Sequence, residues 1–96
     1  MLELRPSCEH CVRALPPDSD EAMVCTFECT FCRACVEGLL ANVCPNCGGG
    51  FERRPVRPAH LLAKYPARPD AVHKPVDEAA FAAMRAAQRD VPPRRR

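Results

Sequence analysis

The eight cysteines of this 96-residue chain fall into four clips: Cys8-x2-Cys11, Cys25-x3-Cys29, Cys32-x2-Cys35 and Cys44-x2-Cys47. A clip with two or three residues between its cysteines can aim both sulfurs at one ion about 2.3 Å away, and thiolate is the ligand zinc takes in closed structural sites. Eight ligands make two tetrahedra of four cysteines each, so the expected cofactors are two Zn²⁺ ions. A tetrahedron of four sulfurs also suits iron, the alternative metal. Cys44-Pro45-Asn46-Cys47-Gly48 has the composition of a zinc knuckle, in which Pro presets φ and the glycine after the second cysteine tolerates positive φ while turning N–H groups toward sulfur.

Segments of 13, 2 and 8 residues separate the clips, and two pairings follow. If neighbouring clips share a metal, the chain forms two consecutive ribbons. If alternate clips share one, Cys8, Cys11, Cys32 and Cys35 hold the first zinc, and Cys25, Cys29, Cys44 and Cys47 hold the second. The linkers favour the alternate pairing, because only Thr30-Phe31 separates the two central clips and a direct step between sites ties both metals into one unit.

The elements that must carry these clips are short. Ala22-Met23-Val24 with Thr26-Phe27 predicts a hairpin bearing the second clip. Arg33 to Ala41 predicts a short helix with Val36, Leu39 and Leu40 as its apolar stripe, Asn42 ending it, and Phe27, Phe31 and Val43 packing against it. Beyond Phe51, the alternation of Arg and Pro from Glu52 to Pro58 predicts an extended connector. One or two turns are expected over Ala59 to Lys64, with Pro66 stopping them. Asp77 is a cap for an Ala-rich helix from Glu78 to Arg89 with Phe81 and Met84 on its apolar edge. A helix of about 12 residues is marginal alone, so this one docks on the metal module, pairs with a partner, or frays.

The pattern resembles the RING-type cross-brace, whose order is a Cys pair, a Cys/His pair, a Cys pair and a final Cys-Pro-x-Cys pair, with Cys29 standing at the usual histidine. The runs Leu2-Glu3-Leu4-Arg5-Pro6, Leu15-Pro16-Pro17-Asp18, Phe27-Glu28-Cys29-Thr30-Phe31-Cys32, Cys44-Pro45-Asn46-Cys47-Gly48-Gly49-Gly50 and Arg54-Pro55 are similar to a family of small bacterial, cysteine-rich, RING-like proteins defined as a domain of unknown function. The resemblance covers about residues 1 to 75. It implies the fold and a bacterial origin, and it implies no reaction.

Composition makes the metal structural. Setting aside Ala and Cys leaves 23 large apolar side chains and no isoleucine. Small scaffolds with so thin a core depend on disulfides or metal. The start of the chain has no secretory pattern and no stretch reaches the ~20 apolar residues of a membrane helix. A cytoplasmic location is therefore expected, where thiols stay reduced and serve as metal ligands. Residues 1 to 50 carry net −4 and residues 51 to 96 net +6.

These features order the functional readings. The expected fold class is a small zinc-stabilised α+β, RING-like cross-brace with two four-cysteine zinc sites, a hairpin and one short helix. Its expected divisions are a module over 1–51, a connector over 52–75, and a helix with basic tail over 76–96. The expected function is non-catalytic protein–protein interaction, with another protein as partner and no membrane contact. The alternative is nucleic-acid binding through the basic C-terminal extension, which includes Arg53, Arg54 and Arg57. A ubiquitin-ligase-like RING comes next; of four contact positions implied by that resemblance, Leu39 and Pro45 match, while His10 and Gly48 depart. Thioredoxin-like redox chemistry needs a βαβ frame that 96 residues with four clips do not accommodate. Hydrolytic zinc needs an open fourth position, and eight cysteines close both shells. His10 is the nearest substitute ligand, whereas His60 and His73 lie in the connector.

Overall fold

The computed structural model describes residues 1–96, and it is a small α+β unit built on one three-stranded antiparallel sheet. Strand β1 (Ala22–Val24) lies between β2 (Thr30–Cys32) and β3 (Glu52–Arg53). The register sets Ala22 opposite Cys32, Met23 opposite Phe31 and Arg53, and Val24 opposite Thr30 and Glu52. The hairpin differs from the sequence expectation. The Cys25–Cys29 clip is itself the turn: Glu28 sits at φ +65°, and the Cys25 N–H donates to the Cys29 carbonyl at 3.2 Å. Thr26 and Phe27 therefore cannot extend a strand. Phe27, expected in the core, stands at the turn tip 71% exposed.

Helix α1 (Arg33–Glu37) follows β2 directly. It ends four residues short of the expected boundary, because Gly38 leaves helical geometry and Ala41 and Asn42 then adopt positive φ of 49° and 57°. The reversal still buries Val36, Leu40 and Val43, with Leu39 partly covered. Asn42 also serves beyond the helix end, its Oδ1 accepting the Phe51 N–H at 2.9 Å. Phe31 and Phe51 meet edge to face with centroids 5.6 Å apart, an arrangement that suits the aromatic quadrupoles.

The segment expected as a free connector is strapped to the module. Arg54 is 1% exposed and donates to the carbonyls of Arg5 (2.9 Å), Leu15 (3.1 Å) and Pro16 (2.9 Å). Arg57 donates to the Tyr65 carbonyl at 2.7 Å, and the Arg68 N–H to the Leu4 carbonyl at 2.9 Å. The one or two turns expected over Ala59 to Lys64 are present as a single 3-10 turn, Ala59–Leu61. Helix α2 (Glu78–Gln88) is capped by Asp77, whose Oδ1 accepts the Ala80 N–H at 3.1 Å. It docks rather than frays: Phe81 is buried in the common core, with Val76 and Met84 packed against that core. The terminal Arg96 closes the wrap by donating to the carbonyls of Asn42 (2.7 Å) and Gly48 (3.2 Å).

Candidate metal centre

Each clip sits where the backbone already turns. In the first knuckle the Val12 N–H donates to the Cys8 carbonyl at 3.0 Å, and in the last the Gly48 N–H donates to the Cys44 carbonyl at 2.8 Å. The residue after the second cysteine is left-handed in both, Val12 at φ +66° and Gly48 at φ +78°. N–H groups turn toward sulfur as expected of such knuckles, with Gly49 donating to Cys47 Sγ and Phe27 to Cys25 Sγ, each at 3.4 Å. The third clip spans the end of β2 and the first turn of α1, where Cys32 is buried and Cys35 half-buried.

The clips combine in alternation. The sulfurs of Cys8, Cys11, Cys32 and Cys35 all lie within 4.8 Å of one another. A tetrahedral ion with metal–sulfur bonds of about 2.3 Å requires sulfurs about 3.8 Å apart. The Cys8–Cys35 and Cys11–Cys32 separations are 3.9 and 3.7 Å, close to that requirement. In the second group the sulfurs of Cys25, Cys44 and Cys47 meet the same 4.8 Å criterion. Cys29 stands at the rim of this triangle, with its Sγ accepting from Asn46 Nδ2 at 3.4 Å and its thiol beside that of Cys25. Both clusters could hold a metal ion, the first with four sulfurs in place and the second with three and Cys29 adjacent.

Without an ion the sites favour neutral thiols. Burial pushes the thiols of Cys29, Cys32, Cys35 and Cys44 up, and neighbouring cysteines raise them further. Thiolates packed this closely need a positive ion between them. For the exposed Cys11 burial also acts upward, but a backbone hydrogen bond at Arg13 and bonds from the neighbouring thiols outweigh it and leave the group lowered.

Three side chains beside the cysteines support the sites in ways the sequence did not indicate. Glu9 is 2% exposed and accepts from Arg5 Nη1 at 2.7 Å and from the Thr30 N–H, linking the first knuckle to β2. Asn46 binds Cys29 and accepts from Lys74 Nζ at 3.2 Å. His10 is not among the clustered ligand groups: its Nδ1 accepts the Val76 N–H at 3.0 Å. His10 and Asn46 could have been suspected only as knuckle residues, and Glu9 has no spacing rule that selects it.

A three-stranded sheet and short helix that gather cysteines from alternate clips into two clusters define a small cysteine-rich module able to bind two metal ions. The model of a family of proteins of unknown function, DUF1272, matches residues 1–57, and the chain belongs to that family. An uncharacterized protein of Rhizobium meliloti (strain 1021) is 64% identical over 75 residues, which cover 78% of this chain and 89% of that relative. No solved structure matches the chain. No helix is long and apolar enough to cross a membrane.

Proposed function

We propose that the chain is a non-catalytic, cytoplasmic, two-zinc module that presents a surface to another protein. The observation that carries this reading is the sorting of the clips into two sulfur clusters sharing one small core. Four cysteines for each ion leave no open coordination position, and zinc so held would supply folding free energy rather than a reactive centre. This chain's part is to bring the thiols together, exclude water from Cys8, Cys32 and Cys44, and release thiol protons as the ions bind.

The alternatives lose support residue by residue. Of the arginines that suggested phosphate binding, Arg54 and Arg57 are engaged with carbonyl groups, while Arg53 is exposed. Of the contact positions implied by ligase-type RINGs, Gly48 is buried beneath Met84 and Arg96, His10 is tied to the Val76 N–H, and Leu39 and Pro45 are half-buried.

Elemental analysis of protein purified without chelator, combined with a free-thiol count, tests the proposal. Two zinc ions per chain and no readily reactive thiol are expected, and Cys32→Ser should unfold the module. One ion per chain with reactive cysteines, or iron in place of zinc, would overturn it.

A further inference from the structure

Glu9 bridges the two sulfur clusters. It follows Cys8 in the first knuckle, and its partner Thr30 follows Cys29 at the end of the second clip. The contact takes both backbone groups of Thr30: the Glu9 N–H donates to the Thr30 carbonyl at 3.0 Å, and the Glu9 carboxylate accepts the Thr30 N–H. Thr30 belongs to β2, which pairs with β1 on its other side, so Glu9 completes the outer edge of the sheet at this point as a further strand would. Both residues are closed to solvent, Glu9 at 2% and Thr30 at 0% exposure, so water is not at hand to take the place of the carboxylate. Arg5 Nη1 balances its charge at 2.7 Å, and the Glu9 carbonyl accepts the Lys74 N–H at 2.9 Å. The residue is thus fixed through its N–H, its carbonyl and its side chain.

The two clusters differ in how complete they are. The first has four sulfurs within 4.8 Å of one another, whereas the second has three, with the Cys29 sulfur held at the rim by Asn46. Thr30 is the residue after Cys29 and lies two before Cys32, a ligand of the first cluster. When Cys8, Cys11, Cys32 and Cys35 close on an ion, the first knuckle and β2 are drawn together and Glu9 is pressed against Thr30. The backbone that carries Cys29 toward the second cluster is then fixed from both sides. We infer that Glu9 is a positioning residue that couples the two metal sites, so that the first site loads first and thereby prepares the second. The coupling rests on the two-zinc reading of the module and adds to it an order of loading.

The test follows zinc release from the full-length, metal-loaded chain into excess EDTA, with N-ethylmaleimide labelling the thiols as they are freed and peptide mass spectrometry placing the label. The parent should release both ions in one phase, with all eight cysteines labelled together. Glu9→Ala leaves the Thr30 N–H buried without a partner, and release should split: one ion leaves about tenfold faster, and Cys25, Cys29, Cys44 and Cys47 are labelled ahead of Cys8, Cys11, Cys32 and Cys35. Glu9→Gln keeps an oxygen for Thr30 and should restore the single phase, a rescue that a general loss of stability does not supply. That second variant decides the matter should the alanine chain not fold: split release from Glu9→Gln would place the effect in the charge facing Arg5 and overturn the coupling through Thr30. Two phases from the parent, one phase from a metal-loaded Glu9→Ala chain, or earlier labelling of the first cluster would also overturn it. Metal content separates the two levels: fewer than two zinc ions in the parent reject the two-zinc reading, whereas two ions released independently reject the coupling alone.

Discussion

The backbone N–H of Val76 donates to Nδ1 of His10 at 3.0 Å, joining the first metal knuckle to a segment 66 residues away. An acceptor at Nδ1 requires the neutral imidazole with its proton on Nε2. The histidine inside the first clip is therefore a fastener for the C-terminal wrap, and the four sulfurs of that site assemble without it.

Replacing His10 with Ala should loosen the wrap and leave the metal sites intact. One hydrogen bond of this kind is worth about 0.5–1.5 kcal/mol, so amide exchange at Val76 should accelerate about two- to tenfold. Exchange mass spectrometry and metal analysis on the same sample check this. Loss of one ion in the variant would make His10 a ligand.

Val12 occupies a backbone conformation that suits glycine. It sits at φ +66°, is half exposed, and is the counterpart of Gly48 in the other knuckle. A β-branched residue there carries roughly 1–2 kcal/mol of strain. Val12→Gly should therefore stabilise the metal-loaded protein by about 1 kcal/mol, after the entropy lost to glycine is allowed for. Thermal melts at fixed metal concentration measure the gain, and an unchanged or lower Tm would contradict it.

Arg54 should be among the most sensitive positions outside the cysteines. Its guanidinium serves three carbonyls from two separate segments, and burial first, then Arg57, lowers its pKa. Arg54→Met keeps the apolar stem but strands those carbonyls, at a cost on the order of 3 kcal/mol. Denaturant unfolding of the metal-loaded chain should show that loss, while Arg53→Met, at an exposed position, should change little.

Metal-free and metal-loaded protein should respond to pH in opposite directions. Without metal, burial raises the thiols of Cys29, Cys32, Cys35 and Cys44 above the ordinary value of 9.0. A raised folded-state pKa gives stability that is present below the unfolded value and lost as pH rises through the folded one, so any residual metal-free structure should weaken in alkali. With metal the sulfurs are thiolates, protons compete with the ion, and stability should fall on acidification. Circular dichroism across pH, with and without chelator, reads both slopes. Parallel slopes would contradict the thiolate assignment.

Most of the cysteine architecture could be read from spacing. Ligand spacing is a local geometric demand, and the two-residue step Thr30-Phe31 already favoured alternate pairing. Helix α2 could be read from Asp77 and the Phe81–Met84 edge to within one residue of its end. The hairpin's first strand could be read as well, but not its second, because β propensity at Thr26 and Phe27 competes with the requirement that Cys25 and Cys29 face one point, and the clip prevails. Helix α1 was overextended for a similar reason: the apolar stripe continues through Leu40, but the chain must reverse at Gly38 to return Cys44 to the second cluster. The hydrogen bond from Asn46 to Cys29 lies outside what a pattern of cysteines contains.

What spacing dictated was the number of ligand pairs and their alternation, and composition predicted that so small a core would need metal. These follow from covalent geometry and from the count of apolar side chains. Only the folded chain revealed what becomes of the basic extension. In sequence its arginines read as a basic extension suited to nucleic acid, yet the module leaves carbonyl groups of Arg5, Leu15, Pro16, Asn42 and Gly48 within reach of Arg54 and Arg96. Buried carbonyls without partners are costly, and a guanidinium can satisfy several at once. Whether an arginine meets phosphate, solvent or such a carbonyl depends on the placement of segments distant in sequence, which becomes defined only when the tertiary structure forms.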